Sequence, residues 1–441
     1  MRRDAVREYI RGSLWVLPTL CALAALILGV LLSRVNVGPN SPLAFQGTAD
    51  DARSLLSSIA GTLVTVIALL LGLAVVALQL SSTQFSPRLL RNFLRDRPNQ
   101  VVLGVFVGTF AYSAGGLFTV GVSRGARSEE FPRFAVSVAV GLLFLSLALL
   151  VFFADHLAHS IQVDNIMRVV ERSTLPVIDG ALFTSEEPPP AVPSWAVPVS
   201  VTHSGYIQAV DVRRLELLAA ADRFTLCLSS RVGAHVVAGT VLAWAWHPSP
   251  AMSAPSQEVV AAALHHTVRI GFERTLEQDP GFGLRQLTDI GCKALSPAVN
   301  DPYTAVQAIE HLAVLLAALA AHPVGDHVGR DATGTITLIV PGRRFSEHLA
   351  LGVGLLRRYG AAEPTVLQAL LRLLDSCAAV VLDDPARWEA IEREARLLVA
   401  DAERAVEQAD DLAPVHAEAA AVGRALAARR AGRVKAGKPA S

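Results

Sequence analysis

The sequence predicts a four-span α-helical membrane domain followed by a cytoplasmic α+β region. That region holds a small β-rich, barrel-like module and a helical domain. Three observations carry this reading. Four uncharged apolar runs lie in the first third of the 441 residues, a Pro-rich break follows them, and the residue grammar then shifts to short alternating strands and amphipathic helices. Mean hydropathy is +0.42, and the apolar excess sits at the N-terminal end.

The expected spans are 12–33, 54–80, 100–123 and 134–154, each close to the roughly 20 residues that cross a hydrocarbon core. The second belongs to a charge-free stretch of thirty-four residues, Ser54 to Pro87. At about 1.5 Å per residue it outruns a slab of roughly 30 Å and is expected to project toward the cytoplasm. The first run has a basic start like a signal peptide. It is long, lacks a clear small-x-small cleavage site and precedes three more spans. Orientation follows from arginines in the short loops. Arg2, Arg3, Arg7 and Arg11 precede span one, and Arg88, Arg91, Arg95 and Arg97 separate spans two and three. The opposite loops hold Arg34 and Arg53, then Arg124, Arg127 and Arg133. The positive-inside rule places both termini in the cytoplasm of a multi-pass plasma-membrane protein.

Beyond span four a continuous helical stalk is expected over 156–185, with Ile161, Ile166, Val169 and Val170 on one side. The Pro-rich linker occupies 186–198 and reads as a semi-rigid extended spacer. The β-rich module spans 199–250, with VSVT, GYIQAVD, FTLCLSS and HVVAGTVLAWAW as strands and VRRLELLAAADR as a helix. Its VGAHVVAGTVLAWA segment resembles half of a biotinyl/lipoyl barrel-sandwich module. Such modules carry their cofactor on a hairpin lysine, and this region has none, so the resemblance extends to shape only.

The mainly helical domain covers 256–430. Gln257 to Thr275 reads as one helix, Gly281 to Ser296 as a second, and a third starts at Asp301, where a capping carboxylate precedes Pro302. GTITLIV (334–340) reads as an isolated strand, and a charged amphipathic helix is expected over 386–406. Residues 431–441 read as a disordered tail.

The run ERTLEQDPGFGLRQLTDIGCKALSPAVNDPYTA, Glu273 to Ala305, is the most specific signature. With the four spans and the GYIQAVD strand, it resembles domain-of-unknown-function family 2254, a bacterial family of membrane proteins. The resemblance runs from span one to the helices near residue 400. Arg274, Thr275, Gln278, Asp279, Phe282, Gly283, Arg285, Gln286, Asp289, Ser296, Pro297, Asn300, Asp301, Pro302 and Thr304 match the family pattern, with Gly291 in place of a usual alanine. The resemblance implies a fold plan and a location, and no activity.

Composition removes several chemistries. Three lysines, Lys293, Lys435 and Lys438, stand against thirty-six arginines, and no G-K-[ST], H-E-x-x-H, G-x-S-x-G or G-x-G-x-x-G occurs. Zero net charge gives no overall pull toward nucleic acid. Cys21, Cys227, Cys292 and Cys377 are scattered, which argues against a zinc ribbon or disulfide framework. Asp155, His156 and His159 at the end of span four lack further ligand partners, and adjacent His265 and His266 point to different helix faces. A non-enzymatic protein is expected, with no catalytic residue, no cofactor and no metal.

Two residue sets remain. Ser58, Thr65, Gly72 and Gln79 recur every seven residues along span two, with Thr62 and Thr83 beside them. The stripe reads either as a helix-packing face or as the wet face of a path through a homo-oligomer that conducts an ion or solute. Arg274, Gln278, Asp279, Arg285, Asp289, Asn300, Asp301 and Thr304 form two polar turns flanking one helix. They read as a structural network, or as a site for a small polar ligand if the turns meet. An oligomeric channel or transport protein with a cytoplasmic regulatory domain is the leading expectation. A membrane-anchored sensor or scaffold that binds a ligand or protein partner is the alternative.

Overall fold

The computed structural model describes residues 15–35, 37, 41–84, 97–120, 131–160, 162–180, 189–249, 251–252 and 255–436. The chain forms two compact units, residues 1–165 and 166–441.

The N-terminal unit holds four helices: α1 (Val16–Leu32), α2 (Ala49–Gln84), α3 (Arg97–Thr119) and α4 (Arg133–Ser160). Helices α2, α3 and α4 are long and apolar enough to cross a membrane. The first expected span corresponds to a shorter apolar helix of 17 residues, and its residues 12–14 lie outside the described residues. Also outside them are Arg2 to Arg11, Ser86, Arg88, Arg91, Arg95, Arg124, Arg127 and the start of the Pro-rich linker. Helix α2 has 36 residues, about 54 Å of helix, well beyond one hydrocarbon thickness.

Glycines set the closest seam of this unit. A Cβ on Gly104 would lie 2.9 Å from Cys21 Sγ of α1, and one on Gly108 would lie 3.3 Å from the Cys21 carbonyl. Gly104 and Gly108 are a GxxxG pair on α3, the spacing that lets membrane helices approach through their backbones. Thr109 and Ser146 bond across α3 and α4 at 3.1 Å, and Tyr112 donates to the Ala135 carbonyl at 2.8 Å. Each satisfies a polar group away from water.

The C-terminal unit mixes sheet and helix. In order it has α5 (Val163–Asp179), which begins just before the boundary, then β1 (Val197–Ser200), β2 (Gly205–Val210), α6 (Val212–Ala221), β3 (Thr225–Leu228), β4 (His235–Val236) and β5 (Val241–Trp246). Then follow α7 (Gln257–Thr267), β6 (Val268–Gly271), α8 (Pro280–Ala294), α9 (Pro302–Ala321), β7 (His327–Arg330) and β8 (Ile336–Val340). Helices α10 (Phe345–Tyr359), α11 (Pro364–Val380), α12 (Pro385–Ala405) and α13 (Ala409–Ala436) complete it.

Three sequence expectations change here. First, the 257–275 segment leaves the helix at Thr267 and becomes β6. Its β-branched Val268 and Ile270 pair with Val210 and Ile207 of β2 and pack on the sheet core. Second, the 334–340 strand is not isolated: β8 lies parallel to β3 and antiparallel to β7. Strands from both sides of residue 256 therefore share one five-stranded sheet, ordered β1-β5-β3-β8-β7. A second sheet is ordered β4-β2-β6, and no closed barrel forms among the described residues. Third, the helical stalk is interrupted: α4 ends at Ser160 and α5 starts at Val163. The C-terminal segment also differs, since α13 continues to Ala436 and only 437–441 lie outside the described residues.

Helix α9 also has the length and apolarity of a span. Half of its apolar window is buried among the other helices of its unit, and a helix packed on most sides needs no polar face. Its end is closed by Arg387 of α12, whose Nη1 donates to the carbonyls of Leu319 (3.2 Å), Ala320 (2.9 Å) and His322 (2.9 Å). That guanidinium satisfies carbonyls that the helix leaves without partners at its negative end.

Candidate functional site

Four loops meet beside the N-termini of α8 and α10. The β3–β4 loop brings Arg231, the β6–α8 loop brings Gln278 and Asp279, the α9–β7 loop brings Val324 and Gly325, and the β8–α10 loop brings Arg343. Together with His348 of α10 they line a cavity of about 30 Å³. Arg274 stands beside it, joined to Asp279.

Asp279 precedes Pro280 at the start of α8, yet its side chain does not cap the helix. It is 3% exposed and accepts Arg274 Nε at 2.6 Å. Gly233, at φ +82°, allows the β3–β4 turn to press on this pair, because a Cβ there would collide with the Asp279 carboxylate. Gln278 clamps the end of β2, accepting the Val210 N–H at 2.9 Å and donating to the Val210 carbonyl at 3.2 Å. Arg231 donates to Glu347 at 3.1 Å, and the other Glu347 oxygen accepts the Arg344 N–H at 3.0 Å. Both carboxylates are thus engaged.

The facing nitrogens are less well served. Arg274 Nη2, Arg343 Nε and His348 Nδ1 are buried without a hydrogen-bond partner. A Cβ on Gly281 would lie 3.0 Å from Arg343 Nε, 3.1 Å from Asp279 Oδ1 and 3.4 Å from Arg274 Nη2, so these groups converge on the first turn of α8. Burial, then the charge of Arg231, holds the Arg343 guanidinium below its usual range, and Asp279 opposes this. Burial pushes the His348 imidazole down to about 3, with Arg343, Arg231, Arg274 and Arg387 adding to the effect. His348 is therefore neutral at physiological pH.

The other polar turn stands elsewhere. Asp301 caps α9, accepting the Thr304 N–H at 3.1 Å and the Thr304 hydroxyl at 2.6 Å, and Asn300 adopts φ +50° just before it. Hydrogen bonds from Thr304 hold the Asp301 carboxyl below the usual carboxylate range. This turn and Asp279 flank opposite ends of the 15-residue α8, about 22 Å apart by helix rise. The two turns do not form one pocket. Between them Arg285 pairs with Asp289 at 2.7 Å, and Lys293 is exposed.

In the N-terminal unit, Ser58, Gly61, Thr62, Thr65, Gly72 and Gln79 are exposed, and Thr83 lies outside the described side chains. The buried face of α2 is instead Ala52, Leu56, Ile59, Ala60, Leu63 and Leu70. A Cβ on Gly61 or Gly72 would meet nothing within 4 Å.

Among the described residues no group of three or more His, Cys, Asp or Glu is placed to hold a metal ion. Asp155 and His159 face each other at 3.4 Å. Burial pushes the thiols of Cys227 and Cys292 up to about 11 and that of Cys377 to about 12, which leaves these three as thiols at neutral pH.

Sequence reasoning found Arg274, Gln278 and Asp279 and missed Arg231, Arg343 and His348. Those three lie 43 to 74 residues from Arg274 in the chain, Arg231 and Arg343 in loops and His348 in the first turn of α10, without a recognisable motif. The doubled arginine after PG at 341–344, between a strand and a helix, was the available signal.

The model of the family described as "Predicted membrane protein (DUF2254)" matches residues 11–376, which include the α8 signature and both sheets. The chain belongs to this family. Uncharacterized proteins of Mycobacterium bovis and Mycobacterium tuberculosis (strain H37Rv) are each 44% identical to it over 428 residues, 95% of this chain and 82% of theirs. No solved structure matches. With this family membership and its apolar helices, the chain is a membrane protein.

Proposed function

We propose that this family member is a non-enzymatic, membrane-anchored sensor whose C-terminal unit lies in the cytoplasm and binds a small ligand in the cleft at the start of α8. One observation carries the reading: buried nitrogens of Arg343 and His348 without protein partners belong to residues that line a cavity, and an unpaired Arg274 nitrogen lies beside it. Such groups are costly to leave unpaired, and a built cluster of them argues for an occupant. Support also comes from α5, the element that follows the last membrane helix in the chain. A Cβ on Gly283, in the first turn of α8, would collide with the buried Thr174 hydroxyl of α5. Occupancy at the cleft thus has a packed neighbour through which to act.

The test is a thermal-shift screen of small metabolites on the full-length protein in nanodiscs. Stabilisation of the wild type that disappears in Arg343→Gln supports the reading. A screen without any Arg343-dependent shift counts against it.

A channel or transport role in a homo-oligomer is the second reading, favoured by the exposed polar stripe on α2. A small and hydroxyl-bearing face turned away from its own bundle suits either a second copy or water. Ion flux through reconstituted liposomes tests conduction, and labelling of cysteines placed at Ser58, Thr65 and Gln79 by water-soluble reagents tests whether the face is wet. Silence in both assays removes this reading.

A further inference from the structure

We propose that the cleft is an oxyanion site that takes one tetrahedral phosphate-type group, free or at the end of a larger molecule. This rests on the ligand reading above and names the chemistry of its occupant. Charge argues first. Three guanidiniums, of Arg231, Arg274 and Arg343, face two carboxylates, Asp279 and Glu347, and both carboxylates already accept from protein donors. Asp326, whose carboxylate accepts the N–H of the cavity-lining Gly342 at 2.8 Å, is likewise engaged, so the charged groups left with unpaired atoms are guanidiniums, which suit an anion.

Donor chemistry argues second. Guanidinium N–H groups have no acceptor capacity, so the spare positions on Arg274 Nη2 and Arg343 Nε call for an oxygen. His348 is only 3% exposed and lines the same cavity with its Nδ1 unpaired. In the Nδ1–H tautomer of its neutral ring that nitrogen is a third donor. The α8 N-terminus adds the positive end of a helix dipole, and Gly281 and Gly283 leave two positions of its first turn without side chains.

Size argues third. A cavity of about 30 Å³ has room for about two waters or a single compact headgroup, so any larger remainder must project out of it. Fork-shaped Arg donors match tetrahedral oxyanions, as bidentate phosphate recognition requires.

The experiment uses the full chain in nanodiscs of phosphatidylcholine at constant ionic strength. Unfolding is followed with inorganic phosphate, sulfate, acetate or chloride, and separately in nanodiscs containing phosphatidylglycerol without added phosphate. The expected result is a rise in apparent Tm of about 5 °C with phosphate or sulfate at saturating concentration, none with acetate or chloride, and loss of the rise in Arg343→Gln. Arg213→Gln, an exposed arginine on α6, keeps it. A rise with soluble phosphate points to a free or metabolite-borne group. A rise seen only with phosphatidylglycerol, and still Arg343-dependent, points to a lipid headgroup.

If Arg343→Gln fails to fold, Gly281→Ala replaces it, narrowing the cradle without altering charge. No rise in any arm, or a rise retained in the variants, overturns the oxyanion proposal. An Arg343-dependent shift found only with neutral or cationic compounds overturns it too, while leaving the ligand reading intact. Absence of every Arg343-dependent shift removes both.

Discussion

The neutral, buried His348 makes the stability of the C-terminal unit depend on pH in a way that one substitution isolates. Burial and four nearby arginines hold its folded pKa near 3, against 6.5 for an unperturbed imidazole. Between those values the unfolded chain binds the proton and the folded one does not, so stability present above pH 6.5 is lost as pH falls toward 3. Linkage across these two values gives a loss of about 2 kcal/mol between pH 7 and pH 5 from this residue alone. His348→Gln keeps a polar side chain of similar reach and removes the titration. Urea unfolding of both proteins, followed by tryptophan fluorescence, provides the measurement. Four of the five tryptophans, Trp195, Trp244, Trp246 and Trp388, lie in the C-terminal unit. The wild type should lose about 2 kcal/mol more than the variant over that interval. Equal losses, within about 0.5 kcal/mol, would refute the claim that His348 is neutral because it is buried among guanidiniums.

Four other substitutions probe the frame around the site. Gly108→Leu on the α1–α3 seam meets the Cys21 backbone and should destabilise the membrane unit by about 2–3 kcal/mol. Gly61→Leu, where a Cβ meets nothing within 4 Å, should leave thermal unfolding in detergent unchanged. Arg387→Met strips the end of α9 of its donor to three carbonyls and should cost about 2–4 kcal/mol in chemical denaturation. Asp301→Ala removes the α9 cap and should cost about 1 kcal/mol while leaving any phosphate response intact, as measured by thermal shift in the two buffers.

Elements with a strong local signal were legible in the sequence. The apolar runs gave α2, α3 and α4, and Asp301-Pro302 marked the start of α9, because a cap and an N1 proline act within one turn. What failed to show was decided at long range. Val268 to Gly271 follows a helical pattern without a break, and only the pairing partner β2 turns it into a strand. The sheet joins Leu226 to Leu338 across 112 residues of chain, a parallel contact that no local window contains. Half of the candidate site had the same fate. Arg274 and Asp279 stand five apart and were visible as a polar turn, whereas Arg231 and Arg343 reach them through separate loops. The membrane seam was missed for another reason. The heptad stripe on α2 is the conspicuous pattern in the sequence, while the GxxxG that holds α1 against α3 sits in a run with few polar residues.

The two ends of α8 now have distinct characters, and this bears on how a ligand would be felt. Its C-terminal turn is self-sufficient: Asp301 and Thr304 satisfy each other, and among the described residues no buried side-chain atom there is left unpaired. Its N-terminal turn is held by Gly281 against Arg343 and the Asp279–Arg274 pair, and by Gly283 against Thr174 of α5. Two residues of one helical turn therefore touch both the unpaired donors and the segment that leads from the membrane unit. Helix α5 is further fixed by Glu171 to His311 at 2.5 Å and by Asp179 to His322 at 3.6 Å, so it is not free to slide along α9. An anion that drew Arg343 and Arg274 inward would change the space around Gly281, and the tight Gly283–Thr174 contact leaves little slack to absorb the change. Coupling from the cleft to α5 would thus run through a single turn rather than through the whole unit.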